Sequence, residues 1–504
     1  MSPPPAPLAW LPARRSSGPR SEVGFVDTPV SRPAYHFTPA RHWMNDPNGL
    51  VVVDGTWHMF FQHNPHGPEW GNMSWGHASS TDLIHWTEHP VAIEHRPGEQ
   101  IWSGSVVIDR SPEGAPVLVA VHTSSFEAGG QAQSLAVSHD RGLSWHPADD
   151  GGPVLDRGTT DFRDPKVFAH TSDSGDASWV MVVVEAVDRQ ILVFRSPDLR
   201  SWEHASTLGP YGPEPDGAEV WECPDLFPLE LDDDPADVRW VLTWSTNPVG
   251  PDGDPRGSSM SYLLGGFDGC TFVPDSDEPE RLDAGRDFYA GITFDSAPAG
   301  RRVMIGWMSN WRYAHDVPTT PWRGAMSLPR ELALRTVDGR PRLVQHLPPE
   351  LARLDPRSTQ PLVREASLAT PLALREADHA LLDLDWELGT ATEVGLRIGA
   401  GPEPCATLAY DAGAATLRVE RGGQGAGFHP DFAGASAVRV PARGGRLRLL
   451  VSLDGPLLEV FADDGATSVS SLVLPGSGGS ALEVYAEGRA RVTVRATRPD
   501  PPPR

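Results

Sequence analysis

Short apolar runs alternate with turn residues along most of this chain. The runs at 50–53, 57–61, 104–108, 117–121, 179–184, 240–244 and 303–307 are β-branched and aromatic, and each is bounded by Gly, Pro, Asp or Asn. Such runs read as strands joined by tight turns. No long segment carries a helical period of apolar positions. The pattern therefore predicts an all-β protein.

The runs recur on a beat. Segments starting at Ser80, Ser138 and Ser196 each pass through an Asp to a Trp (Trp86, Trp145, Trp202), and they start 58 residues apart (138 − 80, 196 − 138). A period of this size holds about four strands with their turns, which is one propeller blade, and 35–337 has room for about five. In these elements Ser and Asp are expected to bond backbone amides of a turn while the Trp packs beneath. Gly266 to Phe272 looks like a weaker fourth copy. These residues shape blades and do no catalysis.

Tryptophan marks a boundary. Fifteen of the 17 Trp lie between Trp43 and Trp322, and only Trp386 follows them. Residues 341–360, with Leu-Pro-Pro-Glu and Asp-Pro-Arg, read as a connector. Beyond them the runs at 416–420, 447–452 and 457–461 alternate as β-sandwich strands do. The expected layout is a tail over 1–32, a propeller over 33–340, a linker over 341–360, a sandwich over 361–497 and a tail over 498–504.

A formal charge of −25 argues against nucleic acid and against an acidic membrane, both of which need a basic surface. A neutral substrate is compatible with it. The start of the chain is rich in Pro, Ser and Arg and lacks the apolar core of an export signal, so the expectation is a cytoplasmic protein unless the start is misassigned. Three widely spaced cysteines suggest free thiols. The 18 histidines show no ligand-spaced pair, so neither a metal nor another cofactor is expected.

The same beat runs through the acidic residues. Asp46 in Trp-Met-Asn-Asp-Pro-Asn-Gly, Asp164 in Phe-Arg-Asp-Pro and Glu222 in Trp-Glu-Cys-Pro-Asp are spaced 58 apart (222 − 164) and about twice that (164 − 46). Equivalent positions of successive blades face one funnel, so three carboxylates should meet there. The second blade should contribute Trp102-Ser-Gly-Ser105, and the fifth Asp287-Phe-Tyr289. Paired carboxylic residues flanking an acetal are what glycoside cleavage requires, and crowding them should raise the pKa of at least one. Trp43, Trp70, Trp75, Trp102, Trp311 and Trp322 are candidate sugar platforms. A single Asp-Pro is weak evidence; the periodic triplet carries the reading.

At these residues the sequence resembles glycoside hydrolase family 32, the invertases, exo-inulinases and levanases. The resemblance covers Trp43 to Gly49, Phe60 to Pro65, Trp70 to His77, Trp102 to Ser105, Phe162 to Pro165, Trp221 to Asp225, Asp287 to Ala290, Gly306 to Trp311 and, in the second domain, Leu458 to Gly465. It implies a five-bladed β-propeller followed by a β-sandwich. It also implies Asp46 as nucleophile, Glu222 as general acid and then base, and Asp164 as the stabiliser gripping fructose hydroxyls. Asn45, Gln62, Trp70, Ser105, Arg163 and Tyr289 match pocket positions; Trp102 and Trp311 join them as substrate contacts. The stretches 307–314 and 321–330 look most like the exo-acting branch, while Gly291-Ile292 departs from the family's usual residues after Ala290.

The implied activity is release of terminal fructose from levan, inulin or sucrose, with retention and without a cofactor. A sucrose-preferring invertase and a fructosyltransferase share this chemistry and stay open. A non-catalytic sugar-binding propeller would be expected to lose a carboxylate, and a sialidase to present an arginine cluster. Oligomeric state is left open.

Overall fold

The computed structural model describes residues 30–497, apart from 110–116, 149–150, 173, 213–216, 250–253, 255, 368–369, 375–378, 400–402 and 475–480. Among the described residues the only helical segments are short 3-10 turns. Among these residues no helix is long and apolar enough to cross a membrane.

Five four-stranded units succeed one another. Their innermost strands are His42–Val53, Glu99–Asp109, Phe162–Thr171, Glu219–Leu231 and Tyr289–Thr293, here called blades I to V. Blade I is closed by Trp322–Arg323, which pairs in parallel with His42 and Trp43. Blades IV and V touch through one parallel pair, Leu231 with Leu334. Each blade covers its neighbour with apolar side chains, and the core splits accordingly. Phe60 and Trp75 of blade I meet Ile101 and Val106 of blade II; Val107 and Val119 meet Phe162 and Met181; Val182 meets Trp221 and Leu242; Phe227 meets Phe288 and Met304; Phe294 and Ile305 return to Leu50 and Phe61. A blade is buried on both faces, which is why its middle strands read as continuous apolar runs.

The recurring turns have the expected chemistry. Asp82 accepts from the amides of Ile84 and His85, Asp140 from Ser144, Asp198 from Arg200 and Ser201, and Asp268 from Cys270 and Thr271. Trp145 and Trp202 donate their indole N–H to Gly142 O and Leu199 O.

The boundary at the connector moves. Arg340–His346 is the outer strand of blade V, paired with Arg330–Val337, so the expected linker starts inside a strand. Asp338 and Gly339 both have positive φ, as a two-residue hairpin requires, and Pro341 is tolerated because this strand has a partner on one side only. At the other end, residues 1–29 and 498–504 of the expected tails lie outside the described residues. Arg32 is tied down over the Trp322 ring at 4.3 Å and donates to Thr38 Oγ1.

The second domain is two six-stranded sheets packed around Trp386, Leu396, Val460 and Val484. It docks on the propeller through buried ion pairs. Arg330 meets Asp283 and Glu459, and Arg421 meets Asp287. Gly285 allows the close approach: a Cβ there would lie 2.0 Å from Ser470 O.

Candidate active site

Every innermost strand has a register shift at the same depth. The shifts fall between Met44 and Pro47, Trp102 and Gly104, Arg163 and Lys166, Glu222 and Asp225, and Tyr289 and Ile292. A bulge re-aims the side chains around it, and here it turns them to the propeller axis. Asp164, Cys223 and Ala290, each the first bulged residue of its blade, have φ of 64°, 48° and 53°. By this register Arg163, Glu222 and Tyr289 are equivalent, so the structural repeat is one residue longer than the interval from Asp164 to Glu222. The three carboxylates stand at three different steps of the bulge and still converge.

Asp46 is buried, and its Oδ2 accepts from Ser103 Oγ at 2.8 Å. Its Oδ1 is buried without a hydrogen-bond donor among the described residues. Cys223 Sγ lies 3.7 Å from Asp46 Oδ2 and 3.7 Å from Asp164 Oδ2, and the Cys223 amide donates to Asp164 at 3.0 Å. Glu222 receives Arg163 Nη2 on Oε1 at 3.0 Å and the Tyr289 hydroxyl on Oε2. Arg163 Nε is 3.9 Å from Asp164.

Loss of water dominates the electrostatics. Burial pushes Asp46 up to about 6, helped by the charge of Glu222 and opposed by the polar side chains of Asn45, Ser103 and Cys223 beside it. Burial likewise pushes Asp164 up to about 7; Arg163 opposes it, and Glu222 and Asp46 add to it. Burial and the neighbouring carboxylates push the Cys223 thiol and the Tyr289 phenol well above their ordinary ranges. Both therefore keep their hydrogens and serve as donors.

Beneath the carboxylates a ring of contacts joins all five blades. Gly104 N donates to Asn48 at 3.3 Å, and Ser105 Oγ bonds Pro165 O and Val167 N at 2.9 Å each. Lys166 Nζ is 3.2 Å from Asp225, and Asp225 accepts from Thr293 N at 2.7 Å. Asp295 and Leu50 close the circle through backbone bonds. The funnel has a floor, and Ser105 belongs to that floor rather than to the pocket. The bulge at Ser103 reverses the strand's alternation and presents Ser103 to Asp46 instead.

Asn45 is buried beside Asp46 and accepts from Trp43 Nε1 at 2.7 Å; Gln62 donates to Ile101 O at 3.1 Å. Trp70, Trp102 and Trp311 are partly exposed against the cluster of Trp43, Cys223, Tyr289 and Trp307. Trp70 meets Trp102 edge to face at 5.7 Å. The other expected platforms are core: Trp75 is packed between blades I and II, Trp322 lies beneath Arg32, and Trp43 is covered by Trp307, Trp311 and His315. Sequence reasoning missed Ser103, Thr123 and Trp307. Thr123 Oγ1 accepts from Asp164 N at 2.9 Å and so fixes its left-handed backbone.

Two family models match the chain: the glycosyl hydrolases family 32 N-terminal domain over residues 36–346 and the family 32 C-terminal domain over 351–497. A levanase of Bacillus subtilis is 38% identical over 474 residues, which is 90% of this chain and 68% of the levanase. An extracellular exo-inulinase of Aspergillus ficuum is 35% identical, with 92% of this chain and 93% of the inulinase covered. The crystal structure of exo-inulinase from Aspergillus awamori superposes with a TM-score of 0.85 at 32% identity, covering 95% of this chain and all of the inulinase. On these grounds the chain, with its bulged carboxylate funnel and its docked sandwich, belongs to glycosyl hydrolase family 32.

Proposed function

We propose that this chain is a retaining, exo-acting β-fructosidase that releases terminal β-D-fructofuranosyl residues from levan or inulin and from sucrose. The observation that carries the reading is the unequal treatment of Asp46: Ser103 occupies one oxygen, and the other has no donor among the described residues. An oxygen in that state is available to a carbon electrophile.

In the first step Asp46 Oδ1 attacks the anomeric carbon while Glu222 gives its proton to the departing glycosidic oxygen. The C–O bond breaks, the alcohol leaves, and fructose is held as an ester of Asp46. Water then enters, passes a proton to Glu222, and attacks the same carbon from the vacated face. The ester bond breaks and Asp46 is regenerated. Two inversions give net retention. Asp164 and Arg163 grip ring hydroxyls, Tyr289 and Arg163 orient Glu222, and the floored funnel admits one terminal sugar. Asn45, Gln62, Trp70, Trp102 and Trp311 shape the walls.

The test is incubation with sucrose, inulin and levan separately, following products by chromatography and the released anomer by NMR. Free β-fructose is expected first from each polymer while long chains shorten slowly. Early difructose or longer fragments would overturn the exo reading, and early α-anomer the retaining one. Activity on sucrose alone would favour an invertase, and longer oligomers built from sucrose a fructosyltransferase.

A further inference from the structure

On the rim of blade I, outside the carboxylate pocket, three side chains meet that the proposed reaction does not use. His66, Glu94 and His95 each bring one ligand atom to within 4.8 Å of the others. His66 follows the strand Thr56–Asn64, and Glu94 and His95 follow Thr87–Ile93; both strands end on the side of the sheet that holds Asp46. Sequence spacing hides the group, because the two segments are separated by an intervening strand.

One ligand is already oriented. Ser74 Oγ has a single hydrogen, which it donates to Asn72 O at 3.1 Å. It therefore accepts from the His95 amide at 3.0 Å and from His95 Nδ1 at 3.0 Å. That places the imidazole proton on Nδ1 and leaves the Nε2 lone pair for a metal, the arrangement a metal-bound histidine adopts when its other nitrogen is held. Ser74 is fully buried, so this orientation is fixed. His66 and Glu94 are exposed and can turn toward it. Ligands of a tetrahedral ion with bonds of about 2.1 Å stand about 3.4 Å apart, so small side-chain rotations close the site.

We propose that His66, Glu94 and His95 bind one divalent transition-metal ion of the zinc type, with water at a fourth position. Two imidazoles and one carboxylate suit such an ion better than calcium or magnesium, which prefer oxygen. The ion would be structural. The His66 amide is held by Asn64 Oδ1 at 2.9 Å, and Asn64 Nδ2 donates to Glu69 O at 2.7 Å, so the segment that begins at His66 leads rigidly to Trp70. Glu94 and His95 lead into the strand that carries Trp102. A metal here clasps the two segments whose tryptophans meet at the pocket mouth.

The test uses the full-length protein without an affinity tag, stripped with a chelator and titrated with Co2+. Visible ligand-field absorption should saturate at one equivalent and be displaced by Zn2+. His66→Ala and His95→Ala should each weaken Co2+ binding at least tenfold, and metal-free variants should turn over sucrose like the metal-free wild type. Absence of saturable binding, or equal binding by wild type and the His66→Ala/His95→Ala double variant, would overturn the proposal.

Discussion

Ser103 donates to Asp46 Oδ2 at 2.8 Å while Asp46 Oδ1 stays without a donor among the described residues. The serine reaches the carboxylate because the inner strand of blade II bulges at that residue, between Trp102 and Gly104. One hydrogen bond thus fixes the plane of the carboxylate and leaves its two oxygens unequal.

Ser103→Ala should lower kcat/KM for sucrose by about 10- to 100-fold, since a hydrogen bond to a charged group is worth about 1.5–3 kcal/mol. The donor favours the ionised carboxylate, so its loss should also shift the acidic limb of the pH–rate profile upward. A wild-type rate with an unmoved limb would remove Ser103 from the site.

Tyr289→Phe removes the hydroxyl from Glu222 Oε2 and leaves Arg163 alone to orient that carboxylate. Turnover of sucrose is expected to fall by about 10- to 100-fold. An aryl fructoside, whose leaving group needs little proton donation, should lose far less. Equal losses on the two substrates would mean that Tyr289 shapes the fructose pocket and does not serve Glu222.

Much of this was legible because propeller repeats write their period into the chain. The turns at Asp82, Asp140 and Asp198 are local, and the sequence of each turn is enough to specify it. Bulges are not local. They arise where a strand meets a partner of different register, so Ser105 looked like the blade II contributor when Ser103 is the one turned inward. The same effect hid the one-residue offset between the spacing of Asp164 and Glu222 and the repeat itself. Trp75 and Trp322 could not be told from rim tryptophans, since aromatic residues serve core and sugar platform alike. The seam between domains was also invisible: Arg330, Asp283 and Glu459 come from distant segments and carry no motif.

The burial of Asp46 sets a pH dependence of stability. Its pKa rises from the ordinary aspartate value of 3.8 to about 6 on folding, so between those values the native state keeps a proton that the unfolded chain has released. Stability is therefore lost as pH rises through this window, and the loss is complete above it. Asp46→Asn should be inactive yet more stable than wild type at pH ~8, by about 3 kcal/mol. The advantage should shrink below pH ~6 and vanish near pH ~4. Denaturant unfolding at the two extremes checks this, and an advantage independent of pH would contradict it.

The last prediction ties the sandwich to catalysis. Asp287 precedes Tyr289 by two residues, and it accepts from Arg421 and Leu472 N of the sandwich and from Tyr313 at 2.6 Å. Tyr313 lies two residues beyond Trp311, so one buried carboxylate anchors both the blade V strand and the segment bearing a rim tryptophan. Arg421→Ala would leave Asp287 buried without its cation, a change that typically costs about 3–5 kcal/mol, and should lower turnover as well because Tyr289 loses its anchor. Arg446→Ala, at an exposed pair with Asp385 in the same domain, should change neither melting temperature nor turnover. If Arg421→Ala melts like wild type and keeps its rate, the sandwich does not support the pocket through Asp287. If it melts lower but keeps its rate, the seam stabilises the fold without reaching Tyr289.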